Sequence, residues 1–191
     1  MRLFIAVDLP EPWKDALDQA ARRLAAGSRQ GTFTRRENFH LTLAFLGELP
    51  GPEAAVRALE RVRVPGFSLT TAPPGRFPGG RGTLWWVGLE PAPGLLAARE
   101  ALVRALDGQG LWMDPKPFLP HLTLGRQVRL REDFDAAAWE ASLPRLTCRV
   151  DRLTLMRSQR VQGRLTYAPL YRRRLGKPWA VTHQGDAGAD T

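Results

Sequence analysis

Apolar positions along this chain follow two periods, and the switches between them outline its elements. LFIAVDL (3–9) reads as a buried strand closed by Asp8 and Pro10. Pro12 then stands near a helix start, and Trp13, Leu17, Ala20, Ala21 and Leu24 follow at helical spacing as far as Gly27. FHLTLAFLG (39–47) predicts a strand ending at Gly47, and PEAAVRALERV (52–62) a second helix. GFSLTTAPPGRF (66–77) predicts a strand running into a turn, and TLWWVGLE (83–90) another strand. Leu95, Leu102, Val103 and Leu106 mark a third helix, closed near Gly108 and Gly110. FLPHLTLGR (118–126) predicts a strand, and REDFDAAAWEAS (131–142) a fourth helix with acidic residues in its first turn. RLTCRVDRLTLMRS (145–158) and RLTYAPLYRRRL (164–175) read as two long final strands. From Gly176 onward the chain is polar and glycine-rich and reads as a disordered tail.

Strands and helices alternate with frequent hairpin-like neighbours. That order predicts an α+β fold with antiparallel or mixed sheets and helices packed outside. The four letters HLTL occur at 40–43 and again, unchanged, at 121–124, with helices before and after each copy. A looser pattern of His, apolar, Thr, apolar is expected only about 0.04 times in such a chain. The repeat therefore predicts two duplicated lobes within one domain, residues 1–175, and a tail over 176–191.

Composition narrows the class. With 43% hydrophobic and 25% charged residues, the 191-residue chain has a globular profile, and no apolar run approaches the length of a membrane span. The opening apolar run is too short for a signal-peptide core. The lone Cys148 excludes an internal disulfide and a cysteine-based metal cage. A cytoplasmic monomer without an obligate protein partner is the simplest expectation. The net charge of +9 is carried almost wholly by arginine, whose planar fork suits phosphate. It points to a polyanionic partner such as RNA, although genomic base composition can also enrich arginine.

Two of only three histidines open the HLTL copies; His183 falls in the tail. On a strand, residues i and i+2 share a face. His40 and Thr42 therefore project together while Leu41 and Leu43 anchor the core, and His121 and Thr123 do the same with Leu122 and Leu124. Paired imidazoles can act as acid and base across a substrate, and threonine hydroxyls can donate to anionic oxygens. No metal-ligand spacing accompanies them, and neither a metal nor a cofactor is expected. Proton transfer around a bound anion, phosphate ester cleavage above all, suits this set. Strict alternation turns Arg126 away from His121 unless Gly125 ends or bulges the strand. Arg126 is then either a phosphate or base contact or a surface arginine. By the same alternation Phe45 is assigned to the core. Trp85 and Trp86 face opposite sides; one is assigned to the core, and for the other a core place is favoured over stacking on a base. The arginines at 172–174 read most simply as a solvated strand end, with an extended nucleic-acid path as the alternative.

These motifs resemble those of the 2H phosphoesterase superfamily, and within it the RNA 2′,3′-cyclic phosphodiesterases, also called 2′-5′ RNA ligases. RLFIAVDLP, FHLTLAFLG, FLPHLTLGR and LMRSQRVQGRLTYAPL (with Ser158, Gly163 and Tyr167) are similar to that family over residues 1–175. The family favours alanine where Gly125 stands. The resemblance implies a two-lobed fold about a central cleft, with His40 as proton donor and His121 as proton acceptor. It implies phosphate contacts from Thr42 and Thr123, substrate binding by Arg126, and hydrolysis of RNA 2′,3′-cyclic phosphate ends to 2′-phosphomonoesters. The residues leave open the reverse 2′-5′ joining reaction, cleavage of small cyclic nucleotides, and a basic RNA-binding module without catalysis.

Overall fold

The computed structural model describes residues 1–114 and 116–176. The expected tail beyond Gly176, with His183, lies outside the described residues. The chain runs β1 (Arg2–Asp8), α1 (Glu11–Ala26), β2 (Ser28–Phe33), a 3-10 turn (Arg36–Asn38), β3 (His40–Glu48), α2 (Glu53–Arg61), β4 (Phe67–Phe77), β5 (Thr83–Leu89), α3 (Pro93–Asp107), β6 (His121–Leu130), α4 (Ala136–Ala141), β7 (Thr147–Val150), β8 (Arg152–Val161) and β9 (Arg164–Arg174). Two sheets form, in the orders β3-β1-β8-β9 and β2-β6-β5-β4-β7. Every ladder between strands is antiparallel. The α+β architecture with two lobes holds, but the lobes are interleaved. The first sheet takes β1 and β3 from the start of the chain and β8 and β9 from its end.

The apolar faces of the strands explain this arrangement. Leu3, Ile5 and Val7 of β1, Leu41 and Leu43 of β3, and Leu153 and Leu155 of β8 are all buried. α2 packs behind β8 and β9 of that first sheet and against α3, which bridges β3 and β4 of the two sheets, with Ala55, Ala58, Leu59, Leu95 and Leu102 buried. α1 lies behind β2 and β6, and α4 packs against α1. There the Trp139 indole meets Trp85 edge-on at 5.6 Å and donates from Nε1 to the Ala20 carbonyl at 3.1 Å. One hydrophobic cluster runs through both sheets and all four helices. Ile5 is fully buried at the centre of β1. Ile5→Val is expected to lower unfolding stability by about 0.5–1.5 kcal/mol, read as a shift in the denaturant midpoint at constant slope. No shift would mean that the core relaxes around the lost methyl.

Several expectations are corrected. β2 was not foreseen: SRQGTF is exposed along most of its length, and it pairs as an irregular edge strand on β6. The stretch 145–158 is two strands. β7 pairs with β4, Asp151 breaks the run, and β8 pairs with β1 in the other sheet. Two polar residues, Asp151 and Arg152, separate the buried Val150 and Leu153, so alternation fails where the chain changes sheets. The fourth helix holds only Ala136–Ala141, and its acidic residue is a cap: Asp135 Oδ1 accepts the Ala138 N–H at 2.9 Å. β4 continues through Pro73 and Pro74 to Phe77 instead of turning there. The two prolines fall on a stretch paired to β5 alone, Pro73 as the extra residue of a register shift and Pro74 just past it, where a missing N–H costs little.

Candidate active site

The two HLTL copies fold alike, down to the same irregularity. In β3 the pairing with β1 steps from Ala6↔Thr42 to Ile5↔Ala44, leaving Leu43 as an extra residue. In β6 the pairing with β5 steps from Trp86↔Thr123 to Trp85↔Gly125, leaving Leu124 extra. Each bulge falls on the last letter of its HLTL. Two successive residues then turn inward, Leu43 with Ala44 and Leu124 with Gly125. Alternation restarts in the opposite phase. Phe45 and Arg126 thus return to the face that carries the histidines.

This corrects Phe45, which is 37% exposed and stacks on Phe4 at 5.9 Å. The bulge at Leu124 likewise puts Arg126 on the site face, and its guanidinium charge acts on both His40 and Tyr167 of the opposing sheet. A Cβ at position 125 would lie 2.9 Å from the Phe33 ring and from Val128 Cγ2. These side chains fill the space an alanine would take, which accounts for the glycine here.

Both imidazoles are oriented in the same way. His40 Nδ1 lies 2.7 Å from the Asn38 carbonyl, and His121 Nδ1 lies 2.8 Å from the Leu119 carbonyl, two residues back in each case. A carbonyl only accepts, so each Nδ1 carries the hydrogen and each Nε2 is left to accept a proton. His40 Nε2 meets Thr42 Oγ1 at 2.9 Å. Thr123 holds the matching place on β6, across from Trp86. β3 and β6 approach each other where the two sheets meet. All five residues singled out in the sequence thus share one region.

Electrostatics distinguish the two halves. His40 packs against Phe4 at 4.9 Å and Tyr167 at 5.0 Å. Burial pushes its pKa below the ordinary value, the positive charges of Arg126 and His121 push the same way, and the Asn38 carbonyl and Asp8 pull it back up. Burial also raises the Tyr167 hydroxyl, against the charges of Arg126 and Arg2. An entering phosphate would reverse the balance at His40 by adding negative charge beside it.

The depressed value has a consequence for stability. As pH falls below about 6.5, the unfolded chain takes up a proton that folded His40 resists. The folded state therefore loses stability over that window and gains nothing above it. His40→Gln is expected to flatten the decline in melting temperature between about pH 7.5 and 5 relative to the parent. Parallel curves would show that burial does not penalise the charged imidazole.

Two neighbours were missed by the sequence reading. Asp8, taken only as the end of an apolar run, pairs across the ladder with His40. It accepts from the buried Thr154 Oγ1 at 3.0 Å and has Arg172 Nε at 3.7 Å. Arg172 is therefore more than a solvated strand end. The available signal was a carboxylate closing an otherwise apolar strand. Asn38 is the second: it is buried, supplies the carbonyl for His40, and donates from Nδ2 to the Leu165 carbonyl at 3.0 Å. On the second sheet, Trp85 is the core tryptophan at 2% exposure, whereas Trp86 lies on the site face, 5.8 Å from His121.

Among the described residues, no three His, Cys, Asp or Glu side chains gather where they could hold a metal ion, and no helix is long and apolar enough to cross a membrane. The profile of the 2′-5′ RNA ligase superfamily matches residues 9–162. An Escherichia coli K12 protein named RNA 2′,3′-cyclic phosphodiesterase is 31% identical over 193 residues, covering 95% of this chain and 97% of its own. A Thermotoga maritima protein of the same name is 31% identical over 176 residues, covering 90% and 94%. The crystal structure of E. coli LigT complexed with 3′-AMP superposes with a TM-score of 0.72 at 29% identity, covering 92% of this chain and 98% of that one. The twin bulged motifs thus sit in a fold shared over nearly the whole length of these proteins, and the chain belongs to the 2′-5′ RNA ligase superfamily.

Proposed function

We propose that this protein hydrolyses RNA 2′,3′-cyclic phosphate ends to 2′-phosphomonoesters, with His40 and His121 supplying both proton transfers. The observation that carries the reading is the matched pair of imidazoles. Each is tied through Nδ1 to a backbone carbonyl, so that Nε2 is the nitrogen left to exchange a proton. His121 Nε2 takes a proton from water as the water oxygen bonds to phosphorus. The bond from phosphorus to O3′ breaks, and His40 Nε2 gives its proton to that oxygen. Thr42 and Thr123 donate to the phosphoryl oxygens as charge builds on them, and Arg126 holds the phosphate from the second sheet. Neither proton transfer calls for a metal or a cofactor. The RNA identity of the substrate is supported by the names of the relatives and by the +9 charge.

His40 enters this scheme as an acid whose proton is retained by the substrate's own charge. Substrate binding should therefore raise its pKa, and the alkaline limb of the pH profile for kcat should lie above that for kcat/KM. The deciding experiment incubates the protein with a short RNA ending in a 2′,3′-cyclic phosphate, in the presence of EDTA. Ring opening to a 2′-phosphate is expected. Survival of the ring ends this reading.

A further inference from the structure

His121 has an aromatic neighbourhood that hydrolysis leaves without a task. Trp86 lies 5.8 Å from its ring and Phe77 6.0 Å, the latter edge-on at 88°; the two aromatic rings are 5.4 Å apart. Phe77 ends β4 and is 42% exposed, a large apolar group left to solvent at the site. Gly75 makes room for the indole: a Cβ there, across the ladder from Trp86, would come within 2.2 Å of it, whereas a Cβ at Gly88 would meet the Pro73 carbonyl at 2.7 Å and only touch the indole at 3.4 Å. Gly88 is itself the cross-strand partner of His121. The indole therefore lies down over the bare backbone of Gly75, and the rings of Trp86, Phe77 and His121 form a triangle, each within 6.0 Å of the other two. Trp86 Nε1 is buried without a hydrogen-bond partner among the described residues, so packing alone holds the ring. An exposed ring beside one laid over the sheet suits stacking of a base, which every nucleobase can supply.

The side of the site matters. An in-line displacement places the attacking oxygen opposite the departing one. If His40 serves O3′, the space beside His121 belongs to the attacking group. Water needs no aromatic surface; a nucleoside does. We propose that Phe77 and Trp86 form a stacking platform for the base at the 5′-hydroxyl end of a second RNA strand, seated so that its hydroxyl replaces water beside His121. The proposal rests on the hydrolytic reading, in which His121 takes the nucleophile's proton. The step balances: the 5′-hydroxyl proton goes to His121, O5′ bonds to phosphorus, the bond from phosphorus to O3′ breaks, and O3′ takes the His40 proton. The product is a 2′-5′ diester and no water is consumed.

The test follows both products in one reaction, using a strand with a 2′,3′-cyclic phosphate end and increasing amounts of a strand with a 5′-hydroxyl end. Phe77→Ala and Phe77→Leu, the second preserving apolar bulk, are expected to raise the KM for the 5′-hydroxyl strand about tenfold or more. Hydrolysis of the cyclic end should stay within about twofold of the parent, as stacking of the second strand plays no part in it. An acceptor lacking its first base should join poorly with the parent and be unaffected by either substitution. Joining that is unchanged in Phe77→Ala, or Phe77→Leu behaving as the parent, overturns the proposal. So does a parent that hydrolyses but joins nothing at saturating acceptor, and so does equal loss of both reactions in the two variants. A parent that neither hydrolyses nor joins refutes the hydrolytic reading instead, which keeps the two failures apart.

Discussion

His40→Ala and His121→Ala are each expected to reduce turnover of a 2′,3′-cyclic end by about 10²–10⁴-fold, the usual worth of one positioned proton transfer. The double variant should fall well short of the product of the two losses, because the residues act on one transition state. The variants part company on a substrate whose leaving group needs no proton, such as a nitrophenyl ester. There His40→Ala should recover much of its rate, whereas His121→Ala should stay impaired because water must still be activated. Rescue of the His121 variant instead would exchange the roles. Full activity of both single variants on the natural end would make the two rings structural and leave the RNA-binding module without catalysis as the better account.

Arg126→Ala is expected to lower kcat/KM by about 10–100-fold, the scale of a charge-assisted contact of about 1.5–3 kcal/mol. Arg126→Lys should recover only part of this, because a point charge replaces a planar fork. A further sign separates a phosphate contact from a structural one. Burial is the main cause of the low His40 pKa, and the Arg126 charge adds to it. Removal of that charge should therefore move the His40 titration upward, seen in the ring proton shifts of the free protein. A variant with normal kcat/KM and an unmoved His40 titration would return Arg126 to the protein surface.

Most of the secondary structure was legible because burial imposes a period. Leu3, Ile5 and Val7, or Trp13, Leu17 and Leu24, can be read from spacing alone, and the structure buries every one of them. The site histidines were legible for a simpler reason: a literal repeat survives whatever the fold does with it. What escaped was governed by irregularity. Alternation assigned Phe45 to the core and, but for the bulge or strand end allowed at Gly125, turned Arg126 away from His121; one extra residue in each strand brings both to the histidine face. β2 escaped because an edge strand with little burial has no period to show. Asp8 escaped because its importance lies across the ladder, in a pairing with His40 that no local window contains. The split of 145–158 between two sheets was written in the pair Asp151–Arg152, yet two polar residues in a row also fit a strand bending at a surface.

The twin bulges have one more effect. Two matched imidazoles facing one another would form a nearly palindromic reaction centre. A cyclic diester could enter it head-first or tail-first, and either ring oxygen could depart. The bulges lift one further residue into each corner, and these two residues are opposites: a ring stacked on Phe4 at one, a cation at the other. Arg2 lies over the Phe45 ring at 5.3 Å, so the first corner offers a ring face backed by a cation and the second a guanidinium of its own. In the proposed reaction, this difference between two residues that exchange no proton is what would give the duplicated frame a polarity, and with it a choice of which ester bond opens.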